Sequence, residues 1–307
     1  MARHSTRHSG AGRRTLLAGG VGLLLGGGGL MAAAGKRFLE DVGAQGAALP
    51  SPSTEPSPSG PPPPPPFSLA NLRSDSIVSI DAKGWHSWAL LDHKDGAIIG
   101  SATQGEVART CSVIKVWIAA DYLRRAAEKG TTPSTSKLAS LSKMIRNSDN
   151  AVATTVFAEL GKTASFNRLK ELCKLTDFKP SSSWGQCQMS ARDLARLGAA
   201  VTAGTAAGPK WTEWLLNEMR LVKLGTWGIR EAFPADEAAA LAIKNGWDTT
   251  AATQTRHMNC MATTPRWTMI TMTKYSIAMP DRHGQEIDKS VASQLLQSHE
   301  LEPLFKQ

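Results

Sequence analysis

Residues 61–66 are six consecutive prolines, and they set the first limit on how this 307-residue chain can fold. Proline gives no backbone N–H to a helix or a sheet and holds φ at about −65°. Together with the Pro/Ser-rich residues from position 48 onward, the run favours extended polyproline II and cannot build a core. The chain therefore divides into a leading segment (1–35), a linker (36–66) and a part long enough for one well-cored domain (67–307).

In the leading segment, Arg13-Arg14-Thr15-Leu16-Leu17 precedes a Gly/Leu/Val/Ala stretch at 18–34. A basic start, a weakly apolar middle and the small residues Ala32-Ala33-Ala34 describe an export signal of twin-arginine character, or an uncleaved membrane anchor. A secreted or cell-envelope location is expected, with an N-terminal membrane tether as the competing outcome. No cysteine precedes Cys111, which excludes a lipoprotein anchor. The formal net charge of +9 suits anionic wall polymers or substrates as well as a plain solvated surface. No basic motif is interleaved with aromatic residues, so nucleic acid is not an expected partner.

Cys111, Cys173, Cys187 and Cys260 all lie in the part that would be exported. An even number in an oxidising compartment favours disulfides, although four cysteines allow three pairings. Cys173–Cys187 would close a loop of roughly 15 residues, a constraint of about 3 kcal/mol. Cys111–Cys260 is then the remaining pair. No metal is expected: the spacings lack a close Cys-x-x-Cys, and His257 is the sole histidine near any cysteine.

Three short motifs carry chemistry when taken in order: Ser112-Val113-Ile114-Lys115, Ser148-Asp149-Asn150 and Lys244-Asn245-Gly246. A lysine one helical turn from a serine can activate it as a nucleophile. The second motif adds a hydroxyl and an amide, and the third adds a cation. Each motif alone is weak. Ser134/Lys137 and Ser140/Lys143 repeat the first spacing, Ser165/Asn167 the second, and Lys94/Gly96 and Lys223/Gly225 the third. Context selects among them. Ser112 opens an apolar run, Val113 to Ala120, that reads as a buried helix with its N–H groups aimed at an incoming oxyanion. The spare serines sit in a polar Thr/Ser/Pro stretch.

Hydrophobic patterning gives a hairpin at 85–91 and 97–101, the nucleophile helix at about 112–129, and helices near 137–147, 151–160 and 165–175. A loop at 178–188 follows, then helices at 191–203, capped by Ser190, and 211–221. The run 239–243 reads as a strand ending at Lys244. A second hairpin, 257–264 and 267–275, precedes a closing amphipathic helix at 286–305. The terminal pieces are expected to share one antiparallel sheet, with the helical middle as a separate lobe. The reactive serine would lie at the seam.

This order of motifs and elements resembles the class A β-lactamase and penicillin-recognising serine hydrolase superfamily, over essentially all of 67–307. Asn217-Glu218-Met219-Arg220, Trp227-Gly228-Ile229 and Ala242-Ile243-Lys244-Asn245-Gly246-Trp247 resemble a secreted actinobacterial branch of it. The resemblance implies an α/β fold of the β-lactamase type: a five-stranded antiparallel sheet flanked by helices, plus an all-α lobe. It implies Ser112 as nucleophile, Lys115 as general base and Ser148 as proton carrier to the leaving nitrogen. Asn150 would hold the substrate amide and Lys244 the substrate carboxylate. The N–H groups of Ser112 and Trp247, the latter following Gly246, would form the oxyanion hole. A monomer is implied that acts on a small molecule or a peptidoglycan peptide without a cofactor.

Two departures qualify the resemblance. Asn245 stands where β-lactamases have Thr or Ser, so a hydroxyl contact to substrate is lost and an amide is expected in its place. The loop before the Ser190 helix also lacks the family's deacylating glutamate. Residues 178–192 hold no Asp or Glu, and Asp177 is the nearest candidate. An acyl-enzyme former with weak β-lactam turnover is therefore expected. The alternatives are a D,D-peptidase or transpeptidase, an esterase or amidase, and a non-catalytic wall-binding module. Asp149, His257, Trp184 and Trp227 read as structural, with core packing favoured over site lining for the two tryptophans.

Overall fold

The computed structural model describes residues 66–306. The leading segment and all but the last residue of the linker lie outside the described residues, and with them the export and anchor expectations. Among the described residues, no helix is long and apolar enough to cross a membrane.

After a short helix α1 (Ser74–Ile77), the chain forms β1 (Trp85–Asp92), β2 (Ile98–Gly100) and β3 (Val107–Arg109). A 3₁₀ turn at Cys111–Ile114 runs directly into α2 (Lys115–Glu128). Then come α3 (Thr135–Arg146), α4 (Asn150–Glu159), α5 (Thr163–Leu172), β4 (Gln188–Ser190), α6 (Ala191–Thr202), α7 (Thr212–Arg220) and α8 (Ala235–Ala240). The last section holds β5 (Ala242–Thr250), β6 (Thr255–Thr263), β7 (Trp267–Ser276), α9 (Asp281–Gln297) and α10 (Glu302–Phe305).

Five strands make one antiparallel sheet in the order β2-β1-β7-β6-β5. β1 pairs with β7, from Trp85 opposite Lys274 to Asp92 opposite Trp267, so the two ends of the domain share the sheet as expected. β3 and β4 form a separate two-stranded ladder. The period-2 rule fixes which residues share a face. Lys244, Met261 and Ile270 lie across from one another on one face, and Asn245, Cys260 and Thr271 on the other. α6 packs on the first face, where Gly198 sits against Thr268. α9 packs on the second, where Gly284 sits against Thr273 and Tyr275.

α2 is the axis of the core. Val113, Ile114 and every residue from Lys115 to Asp121 are fully buried. Each buried aliphatic side chain there contributes about 1.5–3 kcal/mol. One polar knot ties α5 to this helix. Asp121 receives Arg168 at 2.9 and 2.6 Å and the Ser165 hydroxyl at 2.7 Å, and Ser165 receives the Trp117 indole N–H at 3.0 Å. Ser134, Asp149 and Ser190 cap α3, α4 and α6 through their side-chain oxygens.

Three expectations change. Residues 239–243 are not one strand: α8 runs to Ala240 and β5 starts at Ala242. The expected closing helix breaks at Ser298, which turns extended (φ −73°, ψ 119°), and resumes as α10. The disulfides are absent, since Cys111, Cys173, Cys187 and Cys260 are four buried free thiols. Cys187 Sγ lies 3.1 Å from the Trp184 carbonyl and 3.2 Å from Thr110 Oγ1. Cys173 closes α5, in the field of Asp193 and Arg124. Cys260 faces the Trp227 carbonyl and Asp288 on the α9 side, while Cys111 faces the Arg109 carbonyl. Spacing along the chain gives loop lengths, but a bridge also needs two side chains aimed at each other.

Candidate active site

Ser112 lies in the 3₁₀ turn and Lys115 is the first residue of α2, so the two share one turn at the buried end of the core helix. Cys111 precedes them with φ +50°, a left-handed conformation that non-glycine residues rarely hold. The turn is pinned from outside by the Thr110 N–H, which donates to the Cys187 carbonyl at 3.0 Å.

The lysine amine is the centre of the cluster. Lys115 Nζ lies 3.0 Å from Ser112 Oγ, 3.2 Å from Ser148 Oγ, 2.5 Å from the Ser148 carbonyl and 2.6 Å from Asn150 Oδ1. Two of these four are carbonyl oxygens that can only accept. A neutral amine has two protons, which satisfy both carbonyls and leave its lone pair toward the hydroxyls. Burial favours that neutral state. Desolvation pulls Lys115 from 10.5 to about 8, against a small opposing pull from Asp149.

Ser148 completes the bridge between two lysines. It adopts φ +58°, also left-handed. Its Oγ receives Lys244 Nζ at 3.1 Å, and Lys244 donates its other contact to the Asn245 carbonyl at 2.9 Å. Lys244 is fully buried, and desolvation followed by the nearby Lys115 charge brings it to about 7. Backbone strain at Cys111 and Ser148 thus sits at the cluster itself.

β5 is the edge strand of the sheet, and it lies against the nucleophile turn. A Cβ on Gly246 would stand 2.6 Å from Ser112 N, 2.8 Å from Val113 N and 3.0 Å from the Thr110 carbonyl. Only glycine lets the strand approach so closely. Trp247, the next residue, is 37 % exposed.

The remaining residues sort clearly. Asn245 is 1 % exposed and lies on the α9 face, where its Nδ2 donates to the Trp227 carbonyl at 2.6 Å. It is a strut under the 221–227 loop, not the free amide donor expected there. Asp149 accepts the Val152 N–H at 2.9 Å and pairs with Lys143 at 2.7 Å, so it anchors its loop. Asp177 is held by Arg192 at two 2.7 Å contacts and by Ser190 at 2.6 Å. These contacts, the arginine foremost, bring its carboxyl down to about 2. Such a carboxylate is a poor proton acceptor near neutral pH. Burial pushes His257 down to about 4, and its Nδ1 is buried without a hydrogen-bond partner.

The spare motifs are occupied elsewhere. Ser134 caps α3, Lys137 pairs with Glu159 at 2.9 Å, and Lys143 pairs with Asp149. Ser165 belongs to the Asp121 knot.

Trp184, read as core packing rather than site lining, packs against the core and also borders the cluster. The Lys115 amine lies 4.8 Å from the centre of its ring, and its indole N–H donates to Thr154 Oγ1 at 3.0 Å. It comes from the short loop turn Trp184–Gln186, ahead of β4. A tryptophan among serines in a loop carries no periodic signal that says which way it faces.

The beta-lactamase enzyme family model matches residues 129–298, more than half of the chain. The chain belongs to the beta-lactamase enzyme family. Ser148, Asn150 and Lys244 fall inside the matched stretch, whereas Ser112 and Lys115 precede it and rest on the geometry above. No curated protein matches the chain. Among solved structures, a beta-lactamase from Chitinophaga pinensis DSM 2588 is 17 % identical with a TM-score of 0.58, covering 70 % of this chain and 93 % of that one. A beta-lactamase from Xanthomonas campestris pv. campestris is 17 % identical (TM-score 0.57; 70 % and 91 % covered). An ancestral class A beta-lactamase is 16 % identical (TM-score 0.56; 70 % and 95 % covered). At this identity the likeness is one of fold alone, and no branch of the family is singled out. The β-lactamase fold expected from the motifs is the fold of this chain, with its five-stranded antiparallel sheet and surrounding helices.

Proposed function

We propose that this protein is an exported serine hydrolase that forms a covalent acyl-enzyme through Ser112 on an amide or β-lactam substrate. The observation that carries the reading is the Lys115 amine, buried, 3.0 Å from Ser112 Oγ and within reach of Ser148. Neutral Lys115 takes the Ser112 proton as Oγ bonds to the substrate carbonyl carbon. The Ser112 and Trp247 N–H groups stabilise the oxyanion that forms, an effect of about 3 kcal/mol per donor. The proton passes from Lys115 through Ser148 to the leaving nitrogen as the C–N bond breaks. Lys244 donates to Ser148 throughout. Asn150 orients Lys115 and reaches the substrate amide.

Release is the weak step. Residues 178–192 hold no carboxylate, and Asp177 is committed to Arg192 and Ser190. Water must be activated by Lys115, whose geometry serves acylation, so β-lactam turnover is slow. A wall-peptide D,D-peptidase or transpeptidase is the second reading, favoured by the same lack of a hydrolytic base and by the wall-compatible linker and charge. A non-catalytic binding module has less support, because it needs no buried lysine pair converging on a strained serine. Labelling by a fluorophosphonate, in the wild type and in Ser112→Ala, tests the proposal. Label on the wild type alone supports it, and equal labelling of both rejects it.

A further inference from the structure

A buried amide beside the nucleophile turn has no part in the proton path. Asn259 lies on β6 directly opposite Gly246 of β5, on the sheet face that carries Lys244. It is fully buried. Its Nδ2 donates to the Arg109 carbonyl at 2.8 Å, and its Oδ1 has no hydrogen-bond partner among the described residues. A buried amide that makes a single hydrogen bond costs stability, because its oxygen gives up water without gaining a donor. The residues around it on β6, Met258, Cys260, Met261 and Ala262, are apolar and buried. Packing alone would be served as well by a leucine at this position.

The one bond that Asn259 makes holds the stem of the nucleophile turn. Arg109 ends β3, and Thr110, Cys111 and Ser112 follow, with Cys111 at φ +50°. The Thr110 N–H is pinned to the Cys187 carbonyl at 3.0 Å from the loop side. Asn259 pins the preceding carbonyl from the sheet side. A left-handed non-glycine residue persists where its surroundings over-determine it, and these two pins flank Cys111 at its entry. The Arg109 guanidinium makes a third tie, 3.3 Å from Asp248, the residue after Trp247 on β5. That pair is partly exposed, at 22 and 45 %, and contributes little. The Asn259 bond is buried and is the firmer connection between the hairpin and the turn.

The ties converge on the oxyanion hole. One of its N–H groups, that of Ser112, belongs to the turn, and the other, that of Trp247, belongs to β5. The two segments already touch at Gly246, where a Cβ would stand 2.6 Å from Ser112 N. A small shift of the turn along the hairpin therefore changes the spacing of the two donors. We propose that Asn259 is a positioning residue: its bond to the Arg109 carbonyl seats the nucleophile turn on the β5–β6 hairpin so that the Ser112 and Trp247 N–H groups converge on one oxygen. The inference rests on the acyl-enzyme reading and names the residue that aligns its oxyanion hole. Asn259 touches no substrate, so its loss should slow the covalent step and spare the binding that precedes it.

Asn259→Leu tests this, since it keeps the volume and removes the donor. In stopped-flow labelling by a fluorophosphonate, the rate of the covalent step should fall by about tenfold or more. The affinity read from saturation should hold, and the urea midpoint should stay level or rise. In ¹⁵N–¹H spectra the Ser112 and Trp247 amide signals should move while those of α3 stay in place. Asn259→Ser, which cannot overpack, is the second variant and should move the same two signals. An unchanged covalent step in a folded variant overturns the proposal. So does a slower step that comes with a lower urea midpoint and unmoved Ser112 and Trp247 signals, which would make the residue merely structural. If the wild type takes no label, the acyl-enzyme reading fails and the spectra alone decide the positioning: displaced Ser112 and Trp247 signals uphold it, and unmoved signals overturn it.

Discussion

The fully buried Lys115 amine lies 4.8 Å from the centre of the half-buried Trp184 ring. The ring has two opposing effects. Its face attracts the ammonium by about 0.5–2 kcal/mol, while its bulk helps strip the amine of water. Desolvation is the leading cause of the lysine's lowered value, and the second effect is expected to outweigh the first. Trp184→Ala should rehydrate Lys115 and move the acylation midpoint upward from about 8 by roughly one unit. Trp184→Phe should hold it nearly in place. A pH profile of single-turnover acylation measures both, and a downward shift in Trp184→Ala would show that the cation–π attraction dominates.

The lysine pair makes two further pH effects. Acylation should rise with pH and level off above about 8, since only the neutral Lys115 accepts the Ser112 proton. Stability should move in the same direction. Lys115 and Lys244 fall to about 8 and 7 when folded and return toward 10.5 when unfolded. Over that window the unfolded chain binds more protons, so raising the pH favours the fold. Each lysine adds at most about 1.4 kcal/mol per pH unit. Urea unfolding of wild type and Lys244→Met at pH 7 and pH 9.5 reads the effect: the wild type should gain on the variant as pH rises. A constant gap would mean that Lys244 is charged in the folded protein.

Asp177 should act on stability rather than on turnover. Its folded value of about 2, set first by Arg192, lies below the unfolded one. The stabilisation is complete above the unfolded value and is lost as pH falls toward 2. Asp177→Asn is expected to cost about 1 kcal/mol after solvent screening. Release of a nitrocefin-derived acyl group should change little in stopped-flow traces of the variant, because the residue is not the missing base. A drop in release of about 10²–10⁴ would make it one.

The thiols offer a direct count. Burial raises all four cysteines, Cys173 and Cys187 to about 12, which leaves them protonated and unreactive in the fold. A thiol reagent should find none in the native protein and four after unfolding, with no mass change on reduction. Fewer than four after unfolding would restore a bridge.

Much of this was legible because local pattern and tertiary structure agree. The apolar run after Ser112 could only be a buried helix, and Asp149 and Ser190 announce the helices they cap. The motif order selected Ser112, Lys115, Ser148 and Lys244, and the fold brings all four within one hydrogen-bond network. What was hidden depends on direction. Asn245 turned away because strand parity puts it on the α9 face beside Cys260. Trp184 turned inward from a loop with no period to reveal it. The cysteines had suitable spacing but face four different surroundings.

The most direct measurement is the site and rate of fluorophosphonate labelling in wild type, Lys115→Ala and Lys137→Ala, read by peptide mass mapping. The expected result is a single adduct on the Ser112 peptide, much slower in Lys115→Ala and unchanged in Lys137→Ala. An adduct on Ser134 or Ser140, or equal rates in the two lysine variants, would contradict the assignment of Ser112 and Lys115 as the reacting pair.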